Sequence, residues 1–398
     1  MLKNYNVYAL VMLAILLTVS TTAVLAQEDR LDVTTLEVVE ATEIELAAGA
    51  VNTSAYLAPN GEYFAWFGSG DDGLEICLFT IAGEETGCVP AVRDYDSGSV
   101  RWSPDSTKLV FAQRFLQLFT DSDIWMFDAE AMTVTNLTDD DAERIDIFGT
   151  GEGSADAPVD MVPLWGADSD SVYFVRYFVD EIARRRPDLY QLDLDSGELT
   201  LVHSFNLPLP FGIYRAATSP DGRWLAYSED IEPGRAHNLR LLDLETGEGE
   251  LLVRFPESDE RPYYANYLKF SPDSRYLLLH DPAMLLSGLP LDAENPVVRI
   301  FDMDGNEILI DPEQVVVGAG WLPEGAGLVY QVRDITDPQT GALFVSSEPG
   351  QPGHQLVEGY YQGTTTYQER IDWGANHALL VTVPGGFPLT VLQMAAGS

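Results

Sequence analysis

The chain has 398 residues, 46% of them hydrophobic, and carries 63 acidic against 22 basic residues for a net charge of −41. Charge of that sign and size repels phosphate backbones, so nucleic acid and anionic membrane surfaces are excluded as partners. The apolar content excludes a disordered acidic chain, so the acids form a solvated coat on a folded body. In chain order, residues 1–26 read as a secretory signal: Lys3 gives a thin positive start, residues 7–19 are largely apolar, and Val24, Leu25 and Ala26 suit a cleavage site. The apolar stretch approaches the ~20 residues that span a bilayer, so an uncleaved anchor is the alternative. No cysteine follows it, which argues against a lipid anchor, and no second long apolar segment exists. The expectation is an extracytoplasmic protein, secreted, periplasmic or cell-surface, without membrane contact beyond a possible N-terminal anchor, and monomeric.

Residues 27–49 form an N-terminal segment, within which residues 34–46 alternate in a strand-like way. From residue 50 to 398 one phrase recurs: an apolar or aromatic residue runs into a Pro/Asp/Gly-type turn, and an apolar strand follows. The copies begin at Leu57, Trp102, Trp165, Thr218, Phe270, Trp321 and Trp373. From Asn60 through Asp105, Asp168, Asp221, Asp273, Glu324 and Asn376 the steps are 45, 63, 53, 52, 51 and 52 residues. Self-similarity at such a period signals a repeat architecture. The copy at Thr218 shows the unit: a short strand, the turn Ser219-Pro220-Asp221-Gly222, a strand over 223–228, a loop, a strand over 238–244, the tight turn Glu245-Thr246-Gly247, and a strand over 250–255. Four short strands joined by turns are the content of one propeller blade. Helical periodicity is hard to find after the signal, and Pro and Gly punctuate too often for long helices.

The Ser-Pro-Asp-Gly turn preceded by an aromatic, with hairpins of the form Leu189-x-x-x-Asp193-x-x-x-Gly197-Glu198 behind it, resembles the WD40-like repeats of TolB-type propellers and is similar to the propeller domain of prolyl oligopeptidases. The resemblance implies an all-β propeller over residues 50–398 and no particular activity. TolB-type proteins place an α/β domain before the propeller and prolyl oligopeptidases add a hydrolase domain; neither pattern is found here. Seven four-stranded blades are expected, with six and an irregular extra hairpin as the alternative. The last unit supplies three strands, so part of residues 34–46 is expected to complete it as the outer strand and protect the sheet edge.

Function tends to sit on variable loops held by a rigid frame. The long connections lie at residues 114–120, 139–160, 177–187, 206–212, 281–296 and 360–367, and several are apolar. Phe115, Leu116 and Phe119, with Phe211, Leu285 and Leu286, mark a partner surface or a private cap over the channel. Arg184, Arg185 and Arg186, the one basic cluster, pair with a partner's carboxylate or are a solvated loop. Arg101, Arg215, Lys269 and Arg370 precede repeated turns and are expected near the channel, offering an anionic ligand a cationic lining or neutralising acids on adjacent blades. Cys77 and Cys88 flank a turn on adjacent strands and are expected to form a disulfide in an oxidising compartment.

Metal and catalytic signatures are sparse. The acids at 71–72, 139–141 and 302–307 offer a structural calcium site at most, since the last lacks the distal Glu of an EF-type loop. No Gly-x-Ser-x-Gly elbow, His-Glu-x-x-His or phosphate loop occurs, and the five histidines lie in different units. No catalytic residue, resident cofactor or metal ligand is therefore assigned. Two carboxylates from any two blades suffice for a glycosidase, so the acids keep that class open. The reading is an exported, non-enzymatic propeller scaffold binding a protein, peptide or envelope partner through its long-loop face. The alternative is a propeller enzyme, a glycan- or peptide-acting hydrolase or lyase, using carboxylates at the channel mouth.

Overall fold

The computed structural model describes residues 32–44, 46, 54–70, 73–92, 95–113, 122–140, 158–179, 185–205, 213, 215–232, 235–255, 267–281, 296–311, 314–334, 340–359, 371–382 and 389–396. They form seven four-stranded antiparallel sheets, arranged as the blades of a propeller. Apart from the short 3-10 turn Val33–Thr35, every described element is a strand. Blade four shows how the repeat becomes a sheet. Its inner strand Ala216–Thr218 meets the turn, then Trp224–Glu232, Arg235–Asp243 and the outer strand Gly249–Arg254 follow side by side in chain order. The inner strands of blades one to seven are Ser54–Leu57, Arg101–Trp102, Val159–Trp165, Ala216–Thr218, Tyr267–Phe270, Val316–Trp321 and Asp372–Trp373.

The seventh blade is completed from the front of the chain. Leu36–Ile44 runs antiparallel to Leu389–Ala396, with Leu36 opposite Ala396 and Ile44 opposite Leu389. The seam closes the ring by main-chain pairing. Its buried ends, Leu36 and Ile44, enter two different cores. Leu36 packs with Trp373 and Leu392, and Ile44 packs with Leu57, Phe64 and Leu389 between blades seven and one.

A single blade has two apolar faces and can bury neither alone. The cores consequently lie between blades: Leu189 and Val175 of blade three pack with Leu225 and Tyr227 of blade four, and Leu239 and Leu241 of blade four pack with Leu268 and Leu277 of blade five. Near the axis the coupling is polar as well. The Trp102 indole N–H donates to Tyr56 O at 2.9 Å, that of Trp165 to Arg101 O at 2.9 Å, and that of Trp321 to Lys269 O at 3.0 Å. In blade four, Thr218 replaces the tryptophan and its hydroxyl donates to Trp165 O at 2.8 Å. Three of the marking tryptophans, and the threonine of blade four, are thus staples to the preceding blade.

The turns form a second ring. Within each Ser-Pro-Asp turn the serine hydroxyl donates to the aspartate two residues on and accepts from the next strand, as in Ser219 Oγ to Asp221 Oδ1 at 2.5 Å and Trp224 N–H to Ser219 Oγ at 2.8 Å. The following residue turns left-handed in all seven copies, with φ of 74° at Gly61, 67° at Ser106, 63° at Ser169, 74° at Gly222, 59° at Ser274, 67° at Gly325 and 63° at His377. Glycine is the residue suited to that conformation. The serines have a compensating role: Ser106, Ser169 and Ser274 accept the main-chain N–H of Asn60, Asp105 and Asp221 in the preceding blades at 2.9, 3.1 and 3.2 Å.

Two outcomes follow for stability. Ser106→Ala keeps the strained φ and loses the interblade hydrogen bond, costing about 1 kcal/mol in urea denaturation. Ser106→Gly loses the same bond but removes a left-handed penalty of about 1 kcal/mol, so it leaves stability nearly unchanged. Equal losses in the two variants would show that the serine's conformation carries no cost. The second outcome concerns His280, which is 2% exposed and donates its Nε2 proton to Val317 O of blade six at 3.2 Å. Burial pushes its pKa down to about 4. The unfolded chain therefore binds this proton from pH 6.5 downward while the folded one does so only near pH 4. Stability falls as pH drops through that window, and between pH 7 and pH 5 this residue accounts for about 2 kcal/mol of the loss. His280→Gln should lose correspondingly less over the same interval; an unchanged pH slope would contradict the assignment.

Candidate functional site

The seven inner strands and their turns enclose an axial cavity of about 720 Å³ on the turn side of the propeller. Its rim is mainly apolar, with Pro59, Pro104, Pro220, Pro272 and Pro323 from five of the repeated turns and Ala167 and Ala375 at the equivalent places in the other two, and Asn60, Asp105, Ser106 and Ser219 add polar groups beside them. One step down are Leu57, Thr218 and the aromatics Trp102, Trp165, Phe270, Trp321 and Trp373. Deeper still, Arg101, Tyr267, Lys269 and Asp372 bring in charge and polarity.

These deep residues reach across the axis. Lys269 Nζ of blade five lies 4.0 Å from Asp372 Oδ1 of blade seven, passing blade six. Blade six carries Gly320 at the equivalent place. A Cβ there would lie 1.9 Å from Ile371 O, so this glycine permits close approach of the inner strands of blades six and seven. The Arg101 guanidinium of blade two stands 5.4 Å from the Tyr267 ring centre of blade five, a cation–π arrangement, and donates to Gly98 O and Val100 O at 2.9 Å each. Lys269 keeps 40% of its side chain exposed while Asp372 keeps 7%. The cavity thus has a partly exposed cation beside a buried carboxylate.

The remaining wall acid is Asp105. Burial opposes its ionisation, and hydrogen bonds from Ser103 and Thr107 more than offset this, holding the carboxyl below the usual range. It is an ionised turn brace and unsuited to donating a proton near neutrality. Asp372 and Asp105 are the only carboxylic acids lining the cavity among the described residues.

A second polar cluster lies between blades two and three, toward the long loops. Arg176 grips Asp160 through two bonds of 2.7 Å, with Asp160 1% exposed. Asp123 accepts from Asn136 Nδ2 at 2.8 Å, and burial raises its pKa. Every one of these contacts ties one strand to another, so the cluster reads as structural.

Of the residues singled out from sequence, Arg101 and Lys269 line the cavity. Arg215 does not; it sits further from the turns, 3.9 Å from Asp96. Arg370, Phe115, Leu116, Phe119, Arg184, Phe211, Leu285 and Leu286 lie outside the described residues, as do the side chains of Arg185 and Arg186. Cys77 and Cys88 stand directly opposite one another and are bonded as a disulfide. With Glu75 they form the one described cluster of metal-ligand type, but both sulfurs are committed to each other. Asp302, the first acid of the calcium-like run, accepts from Asp304 N–H at 3.0 Å and Asn306 N–H at 2.8 Å, the pattern of a hairpin turn. Sequence reasoning missed Tyr267, Asp372 and the role of the tryptophans and prolines as cavity wall. The signal was available, because equivalent residues of a closed repeat converge on its axis.

The fold defines a seven-bladed β-propeller, closed by its N-terminal strand. No family model matches the chain, and no curated protein does. Among solved structures it is similar to an oligogalacturonate lyase in complex with manganese, at 11% identity and a TM-score of 0.58, over 90% of this chain and 97% of that one. It is similar to the oligogalacturonate lyase of Vibrio parahaemolyticus at 9% identity and 0.56, over 90% and 97%. It also matches the propeller domain of the Trilobed protease from Pyrococcus furiosus, described as having an open velcro topology, at 13% and 0.51, over 87% and 96%. At these identities the likeness is one of fold alone.

The two ion pairs should separate cleanly under mutation. Lys269→Gln removes a long, partly exposed pair and should change urea stability by less than about 1 kcal/mol. Arg176→Gln strands the buried Asp160 and should cost about 3 kcal/mol. A large loss in the first variant would mean that Lys269 is a structural brace.

Proposed function

We propose that this chain is a non-enzymatic binding propeller of the cell exterior whose axial cavity, on the turn side, holds a ligand. The observation that carries this reading is the chemistry of the cavity wall. A volume of about 720 Å³ falls within the range of small-molecule sites, and an apolar wall with few convergent polar groups is their usual composition. The charged groups there suit recognition better than turnover. Asp105 is occupied by its own turn, and Asp372 sits beside Lys269, so the wall offers no pair of carboxylates poised as acid and base. The apolar residues Phe115, Phe119, Leu285 and Leu286, which lie outside the described residues, extend the proposal to a protein or peptide partner.

The second reading, a propeller enzyme, is favoured by the whole-length likeness to two oligogalacturonate lyases. Both readings meet in one experiment. Trp102, Trp165, Trp321 and Trp373 line the cavity, so their fluorescence should report its occupation. The purified protein is titrated with oligogalacturonate, neutral oligosaccharides, peptides and apolar acids, and each mixture is then assayed for product. Binding predicts a saturable fluorescence change with at least one class and intact ligand afterwards. Appearance of an unsaturated, ultraviolet-absorbing uronate or of cleaved peptide would establish the enzyme reading instead, and silence across the panel would refute the cavity as a ligand site.

A further inference from the structure

Resting on the binding reading, we infer that the ligand of the axial cavity is an apolar monocarboxylate, an acyl or aryl chain ending in one carboxylate, with its head at Lys269 and its body against the proline and tryptophan wall. The argument begins with what the wall cannot do. A sugar or peptide brings a polar group every few ångströms and needs partners along its length, because burying a polar group without one is strongly disfavoured. The rim prolines have no N–H to give. The indoles of Trp102, Trp165 and Trp321 already donate to main-chain carbonyls, as does the Thr218 hydroxyl. The Trp373 indole nitrogen has no hydrogen-bond partner but is sealed from solvent, so a ligand in the cavity does not reach it. The turn N–H groups of Asp105, Asp221 and Asp273 are spent on the next blade. Such a wall is suited to contact with apolar surface.

The deep end differs. The Lys269 ammonium has three N–H donors, and Asp372 at 4.0 Å engages at most one. Its side chain is 40% exposed, so an incoming carboxylate can reach it without a rearrangement of the strands. Arg101, held in place over Tyr267, adds a second positive charge to the same end. Together these leave the deep end one positive charge in excess of Asp372, balanced over the whole cavity by the ionised Asp105 at the turns, in a chain whose net charge is −41. At physiological salt, charges more than about 8 Å away are largely screened, so a carboxylate seated at Lys269 is governed mainly by the local groups.

The test is calorimetric titration of the intact protein at about 0.15 M salt with decanoate and phenylbutyrate, each against its alcohol, decanol and phenylbutanol. Both acids, or one of them, should bind at least about tenfold more tightly than the matching alcohol. Lys269→Gln should weaken acid binding about tenfold and leave the alcohols within about twofold. The decanoate and phenylbutyrate arms decide between acyl and aryl ligands. Equal affinity for acid and alcohol, an unchanged acid affinity in the variant, or no binding of either acid would overturn the assignment. If the acids fail while another class alters the cavity fluorescence, the ligand class falls and the binding function stands; if nothing binds, both fall.

Discussion

Everything in this molecule depends on the requirement that a four-stranded blade find a neighbour on each side. Its faces are apolar, its inner strand is as short as two residues in Arg101–Trp102 and Asp372–Trp373, and no blade holds a core of its own. Most boundaries are therefore made twice, by interdigitated side chains and by polar links close to the axis. The indole-to-carbonyl staples and the serine-to-turn bonds run in opposite senses around the ring, one reaching back a blade and the other received from it. Seven boundaries leave no edge only if the first and last blades also meet. The strand Leu36–Ile44 meets that need, contributing a main-chain ladder and two core residues.

Most of this was legible in the sequence. The spacing of Asn60, Asp105 and their counterparts gave the number of blades, because a turn with fixed chemistry must recur wherever inner strand meets second strand. The strand-like alternation in 34–46 gave the closure, because the last unit was short by one strand. What the sequence did not show was the cavity at the turn end of the axis. The long loops drew attention first, and their apolar residues such as Phe115 and Leu285 lie outside the described residues. The turn side instead presents prolines and tryptophans that look, one repeat at a time, like scaffolding; they become a wall only when seven copies are brought round a circle. The serines at 106, 169 and 274 were equally opaque, since a left-handed φ is a property of the backbone and their hydrogen bonds cross to a residue about fifty positions away.

Arg101 and Lys269 occupy the same place in the repeat, Arg215 lies two residues further from its turn, and the three have different surroundings. Arg101 lies over an aromatic ring, Arg215 approaches Asp96, and Lys269 reaches past a glycine to Asp372. Pseudosymmetry sets where a side chain begins, while the deviations from it, Gly320 above all, set where it ends. The asymmetry is what turns a repetitive scaffold into a cavity with a polar pole. It also explains why a likeness of fold to lyases and to a protease domain says little about chemistry here: the shared frame is the symmetric part.

The seam in blade seven has a mechanical consequence. Leu36 and Ala396 face one another at the same end of an antiparallel pair. Tension applied at those two residues would load the ladder's hydrogen bonds one after another, in the manner of a zip, instead of sharing the load across all of them as a sheared pair does. The closed ring would then yield to a pull at its outer edge, with blade seven peeling first and the other six blades losing their closure in turn.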